Sequence, residues 1–321
     1  MAKDTILNNA TAVAFKREQF YPALPLTWIL GSLVMFGCTV IISYIRSKPL
    51  LSQTVMDYAN LLFFIFNAIS TVLMSIFITL AIVTSDCGEA LASIIGYTVP
   101  ASVDIIFAQL CSIFIIQAIM AKYPEYLDNN TFENIIKCIM GAVIPLCNGI
   151  IFTTLYLIAE PTEMYTVLRG TGHQEKAFKL IVVRGCIYLP VGFASTTTLL
   201  HTIRMQQNNF IQPNHILNTK VVLISVVGQI LIAAIIYAFE QFEYLGITHD
   251  MTIILINLVM LLVKSSFVIA VALSHNNVRA HISNIWPISY FTSLCSLRQV
   301  RQINVNQRDV ELHGVKIKRD S

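Results

Sequence analysis

The sequence predicts an all-α membrane protein, a bundle of seven transmembrane helices with a short interfacial helix after the seventh span. Three observations predict it. Of 321 residues, 55% are hydrophobic and 12% charged, with a mean hydropathy of +0.68; a soluble domain carries about twice that charge. The chain also divides into seven apolar runs, Leu26–Ile45, Leu61–Val83, Leu91–Ala121, Cys138–Ala159, Leu180–Leu200, Val221–Phe239 and Met251–Leu273. Each meets or nearly meets the roughly 20 residues that cross a 30 Å hydrocarbon layer as a helix. Finally, the runs hold only three charged side chains, Asp104, Arg184 and Lys264, so the charge shortage is confined to them.

Residues 1–25 carry Lys3, Asp4, Lys16, Arg17 and Glu18 without an apolar stretch, so they read as an extracellular N-terminal segment and not as a cleavable signal; the first run is its own insertion signal. The seven-helix bundle occupies residues 26–275. Its third run contains Pro100 and is long enough to continue beyond the bilayer, while Pro145 and Pro190 kink the fourth and fifth helices. Such kinks are tolerated in membranes because neighbouring helices can satisfy the freed carbonyls. Residues 276–295 form a juxtamembrane segment, whose aromatic, apolar stretch Ile282–Leu294 suits the inner leaflet surface. A basic, disordered cytoplasmic tail, 296–321, completes the chain.

Seven crossings place the termini on opposite sides. With the N-terminus outside, the inner loops and their flanks hold Arg46, Lys48, Lys122, Lys137, Arg204 and Lys220, and the outer loops only Arg169, Lys176 and Lys179. The positive-inside rule therefore favours a multi-pass protein of the cell membrane with an extracellular N-terminus and a cytoplasmic C-terminus. Asn9-Ala10-Thr11 is then an outward glycosylation sequon, and Cys295 a juxtamembrane candidate for palmitoylation. Cys87 is the one cysteine in an outer loop and reads as a free thiol.

Charge and histidine placement exclude other classes. The net charge is +3, and no basic patch interleaves with aromatics, so nucleic acid is not a partner. All seven histidines fall in loops, at helix ends or in the tail. No metal centre, cofactor site or enzyme is expected, since chemistry in the bilayer needs a metal cluster or a nucleophile and its base at depth.

The short-looped seven-helix unit, the glycosylatable N-terminus, the interfacial segment and the basic tail resemble the rhodopsin-like G-protein-coupled receptors over residues 20–295. Where that family has Asp-Arg-Tyr at the inner end of the third helix, this chain has Ala121-Lys122-Tyr123; Pro190 matches the proline of its fifth helix. The family's Trp in the fourth helix, Trp-x-Pro in the sixth and Asn-Pro-x-x-Tyr in the seventh have no counterparts, and the Cys-free loop Glu160–Lys179 cannot supply the usual bridge to the third helix. The resemblance is to a divergent member, of the kind found among invertebrate orphan receptors and chemoreceptors. It implies an extracellular small-molecule or peptide ligand, a heterotrimeric G protein as cytosolic partner, and coupling near Lys122 and Tyr123.

Charges at membrane depth cost several kcal/mol unless paired or hydrated, so Asp104 and Lys264 are the first candidate ligand contacts. In the resembled family the third and seventh helices flank one cavity, and a carboxylate placed like Asp104 receives a cationic amine. Two readings fit the pair, a salt bridge between helices and a ligand site in which a ligand competes for one partner. Gln229 and Asn257 are secondary candidates. Lys264-Ser265-Ser266 also resembles the retinal-binding lysine segment of opsins, which keeps an opsin-like photoreceptor open, and a transporter or channel subunit is a further alternative. Eight acidic residues against three basic ones in the outer loops make the mouth attractive to cations.

Overall fold

The computed structural model describes residues 17–48, 54–84, 86–122, 130–158, 163–170 and 249–284, with isolated helical positions at 197, 200, 201 and 204. Every regular element among them is helical. After a 3₁₀ turn at Arg17–Phe20 come α1 (Ala23–Ser47), α2 (Val55–Val83) and α3 (Glu89–Lys122). Next, α4 (Asn130–Cys138) runs through a π-helical turn (Ile139–Val143) into α5 (Ile144–Ile158), and α6 (Glu163–Arg169), α7 (His249–Ser274) and α8 (Asn276–Asn284) follow. The chain divides into two units, 1–272 and 273–321.

Five stretches among the described residues are long and apolar enough to cross a membrane: Ala23–Ser47, Val55–Val83, Glu89–Gln117, Asn130–Ile151 and Asp250–Ser274. They correspond to the first four and the seventh of the apolar runs. The fifth and sixth, 180–200 and 221–239, lie outside the described residues but for positions 197 and 200. On α1 the large apolar side chains Trp28, Ile29, Leu33 and Phe36 are exposed, a surface suited to lipid.

The helix ends follow local chemistry. α1 starts three residues before the expected Leu26, because Pro25 falls in the first turn, where a missing N–H leaves no hydrogen bond unmade. Thr54 caps α2 in a capping box. Its Oγ1 accepts from the Asp57 N–H at 3.3 Å, while Asp57 Oδ2 accepts from the Thr54 N–H at 3.0 Å. Lys48, just past α1, reaches Asp57 Oδ1 at 2.6 Å and so ties the end of α1 to the start of α2.

The fourth span starts eight residues earlier than the expected Cys138, and its π turn has a chemical cause. Within that turn the Ile144 N–H bonds to the Ile139 carbonyl, five residues back. The same register would pair the Met140 carbonyl with residue 145, which is proline and has no N–H. Met140 instead accepts from Gln109 Nε2 of α3 at 2.5 Å. The kink expected at Pro145 thus takes the form of a widened turn stabilised from a neighbouring helix.

α2 lies between α1 and α3. It supplies much of the core, with Phe63, Phe64, Met74, Phe77, Ile78 and Ile82 almost fully buried. Three of its hydroxyls are satisfied within the helix, as Thr71, Ser75 and Thr79 each donate to the carbonyl four residues back at 2.7–2.9 Å. Two side-chain contacts set the register of α7 against α2. The Phe63 and Phe267 rings meet edge-to-face at 6.1 Å, and Lys264 meets Ser70. α7 also touches α1, where Gly37 lies so close to Val268 that a Cβ at position 37 would overlap its Cγ1. In the second unit, α8 is the helical start of the expected interfacial segment; Ile285–Leu294 lies outside the described residues.

Candidate functional site

Lys264 sits two-thirds of the way along α7 and is 6% exposed. Its Nζ donates to the Ser70 hydroxyl of α2 at 2.8 Å, and the Cys38 thiol of α1 lies within electrostatic reach. Three helices therefore converge on one amino group. The residues around it explain the arrangement. Gly37 lets α1 approach the Val268 turn of α7, and the Phe63–Phe267 contact closes the seam on one side, so Lys264 is directed between α1 and α2. Placing a lysine at the centre of a membrane helix costs about 2.5–3.5 kcal/mol on insertion scales. One hydrogen bond to a charged group returns about 1.5–3 kcal/mol, so Ser70 offsets much of that cost.

Of the two readings of Asp104 and Lys264, the salt bridge is not found. Among the described residues no ion pair joins them, and Lys264 is held by a neutral hydroxyl instead. The reason is rotational: α7 turns Lys264 toward the α1–α2 seam. Asp104 is also buried, at 6% exposed in α3, and is engaged in its own contacts. The two groups therefore occupy separate environments within the bundle.

Asn257 is buried two turns before Lys264, with its Nδ2 donating to the Ile253 carbonyl of its own helix at 2.8 Å. Lys122 is the last residue of α3. Gln229, Tyr123, Asn9 and Cys295 lie outside the described residues. No group of three or more His, Cys, Asp or Glu among the described residues is arranged to hold a metal ion.

A second polar cluster lies at the end of the bundle where α1 begins. The Cys87 N–H donates to the Leu168 carbonyl at 2.9 Å, Arg169 Nη1 donates to the Cys87 carbonyl at 2.9 Å, and Arg169 pairs with Asp86 at 2.9 Å. Cys87 is a buried free thiol.

The sequence draws attention to the ionisable residues and to Gln229 and Asn257 of the sixth and seventh runs, and the second run holds further polar groups. Asn67, Ser70 and Thr71 of α2 are all buried, and three polar residues within five positions of an apolar run were the available signal. Cys38 carried no such signal, since a cysteine in an apolar run reads as a small hydrophobe. No protein-family model and no curated protein matches this chain.

Proposed function

We propose that the chain is a seven-helix receptor of the G-protein-coupled kind, which binds an extracellular ligand within the bundle and signals to a cytosolic G protein. The observation that carries this reading is the partnership of Lys264 with Ser70 across α7 and α2, separate from the buried Asp104 of α3. A purely structural pair of charges would neutralise itself at depth. Lys264, held by a neutral hydroxyl, and Asp104, engaged in contacts of its own, are two ionisable groups at depth whose partnerships a ligand can change. A ligand that changes either partnership favours one helix arrangement over another, and its differential affinity sets the size of that shift.

The test is expression with a promiscuous G protein and a screen of cationic small molecules and peptides, comparing wild type with Asp104→Asn and Lys264→Met. The reading expects a response in wild type that at least one variant loses by tenfold or more in potency, at unchanged surface expression. Ion or solute flux in liposomes without any G protein would overturn it in favour of a transporter. A new visible absorbance band on adding retinal would replace it with the photoreceptor reading.

A further inference from the structure

We propose that α6 is a latched cover over the end of the bundle where α1 begins, with Arg169 as the latch and the Cys87 thiol beneath it. α6 has seven residues, too few to be helical on its own strength. Its order comes from docking. Val167 and Leu168, each 1% exposed, enter the same apolar cluster as Phe77, Ile78 and Ile82 of α2, Ile95 of α3, and Ile254 of α7. α6 therefore packs on a cluster to which these three helices contribute, with Met164 and Tyr165 against its edge.

The approach is close by design of the sequence. A Cβ on Gly96 of α3 would come within 2.9 Å of the Tyr165 backbone, so only glycine there lets α6 lie directly on α3. Gly170, at φ 64°, takes the left-handed conformation that ends the helix immediately after Arg169. Arg169 is thereby fixed at the last position of the cover, where its guanidinium reaches back across the joint.

The contacts that hold the joint are polar and reversible. The Asp86 side chain is 55% exposed, so its ion pair with Arg169 is weak and screened by salt. The hydrogen bond from Arg169 to the Cys87 carbonyl is charge-assisted and only partly exposed, and it dominates. The Cys87–Leu168 backbone bond adds one strand-like link. Breaking Arg169 from Cys87 removes the charged contact and leaves the cover held by that link and by side-chain packing, in which Met164 and Tyr165 join Val167 and Leu168. Opening uncovers the apolar cluster and the Cys87 thiol together, giving an amphipathic solute a way into the bundle from this end. The proposal rests on this end of the bundle alone and stands whether or not the chain signals to a G protein.

The experiment follows Cys87 as a built-in reporter. The full chain in detergent micelles is treated with N-ethylmaleimide, and peptide mapping gives the modification rates of Cys87 and of Cys38, buried in α1 far from the cover along the helix. Arg169→Ala is expected to raise the Cys87 rate about tenfold or more, the scale of losing one charge-assisted hydrogen bond, with the Cys38 rate unchanged. Asp86→Asn is expected to raise it less than threefold. Leu168→Cys, under mild oxidation, is expected to form a disulfide with Cys87 and to stop its modification. Equal Cys87 rates in wild type and Arg169→Ala would overturn the latch. Should Cys38 accelerate in parallel, the variant is unfolded, and the cross-link decides: its formation supports the docked cover, and its failure overturns it.

Discussion

Gln109 of α3 donates its side-chain amide to the backbone carbonyl of Met140 at 2.5 Å, at the π turn that precedes Pro145. A proline inside a membrane helix leaves a carbonyl without its donor, and here the donor comes from another helix. Gln109→Leu is expected to strand that buried carbonyl and destabilise the bundle by about 1–3 kcal/mol. Pro145→Ala restores a backbone N–H, so Gln109→Leu should cost less in that background. Thermal unfolding of the four variants in detergent gives the coupling, and strict additivity would refute the link.

The bond from Lys264 to Ser70 makes the two losses unequal. Ser70→Ala leaves a buried amino group without its hydroxyl and is expected to cost about 1.5–3 kcal/mol. Lys264→Met leaves a hydroxyl that can turn back onto its own helix, so it should cost less or stabilise. In the Lys264→Met background, Ser70→Ala should be nearly silent. Melting temperatures of the single and double variants measure this.

At the joint between α1 and α2, Asp57 serves two partners, accepting from the Thr54 N–H and from Lys48. Asp57→Asn is therefore expected to cost more than Thr54→Ala, whose lost cap is worth about 1 kcal/mol. Lys48→Ala should cost least, because its side chain is 25% exposed while that of Asp57 is 8%. The expected order of melting temperatures is Lys48→Ala above Thr54→Ala above Asp57→Asn.

The positive-inside count favours an outward Asn9, and its sequon tests that orientation. Glycosidase treatment of the expressed protein should increase its gel mobility, and Asn9→Gln should abolish the change. The chain's other sequon, Asn129-Asn130-Thr131, falls inside in this orientation, so modification at Asn129 would invert the topology.

Helices were legible wherever burial is set by one element alone. The apolar runs located α1, α2, α3, α5 and α7 because a hydrocarbon layer imposes length and composition on each span separately. What depends on two elements was not legible. Lys264 and Asp104 were visible as residues, but their partners turn on the rotation of α7 about its axis, which no apolar run specifies. Ser70 looked like any serine in a membrane helix until the Phe63–Phe267 contact fixed the register. Cys87 was correctly read as a free thiol, yet its backbone engagement with Leu168 and Arg169 needed the fold, since those residues are separated by more than eighty positions.

The contact of Gly37 with Val268 restricts what descent can do with this chain. Any larger side chain at position 37 must either spread α1 from α7 or arrive together with a trimmed residue at 268. Among natural relatives the two positions should change as a pair, glycine with a branched residue or alanine with a smaller one. A larger residue at 37 with valine kept at 268 marks a bundle in which α1 and α7 have parted.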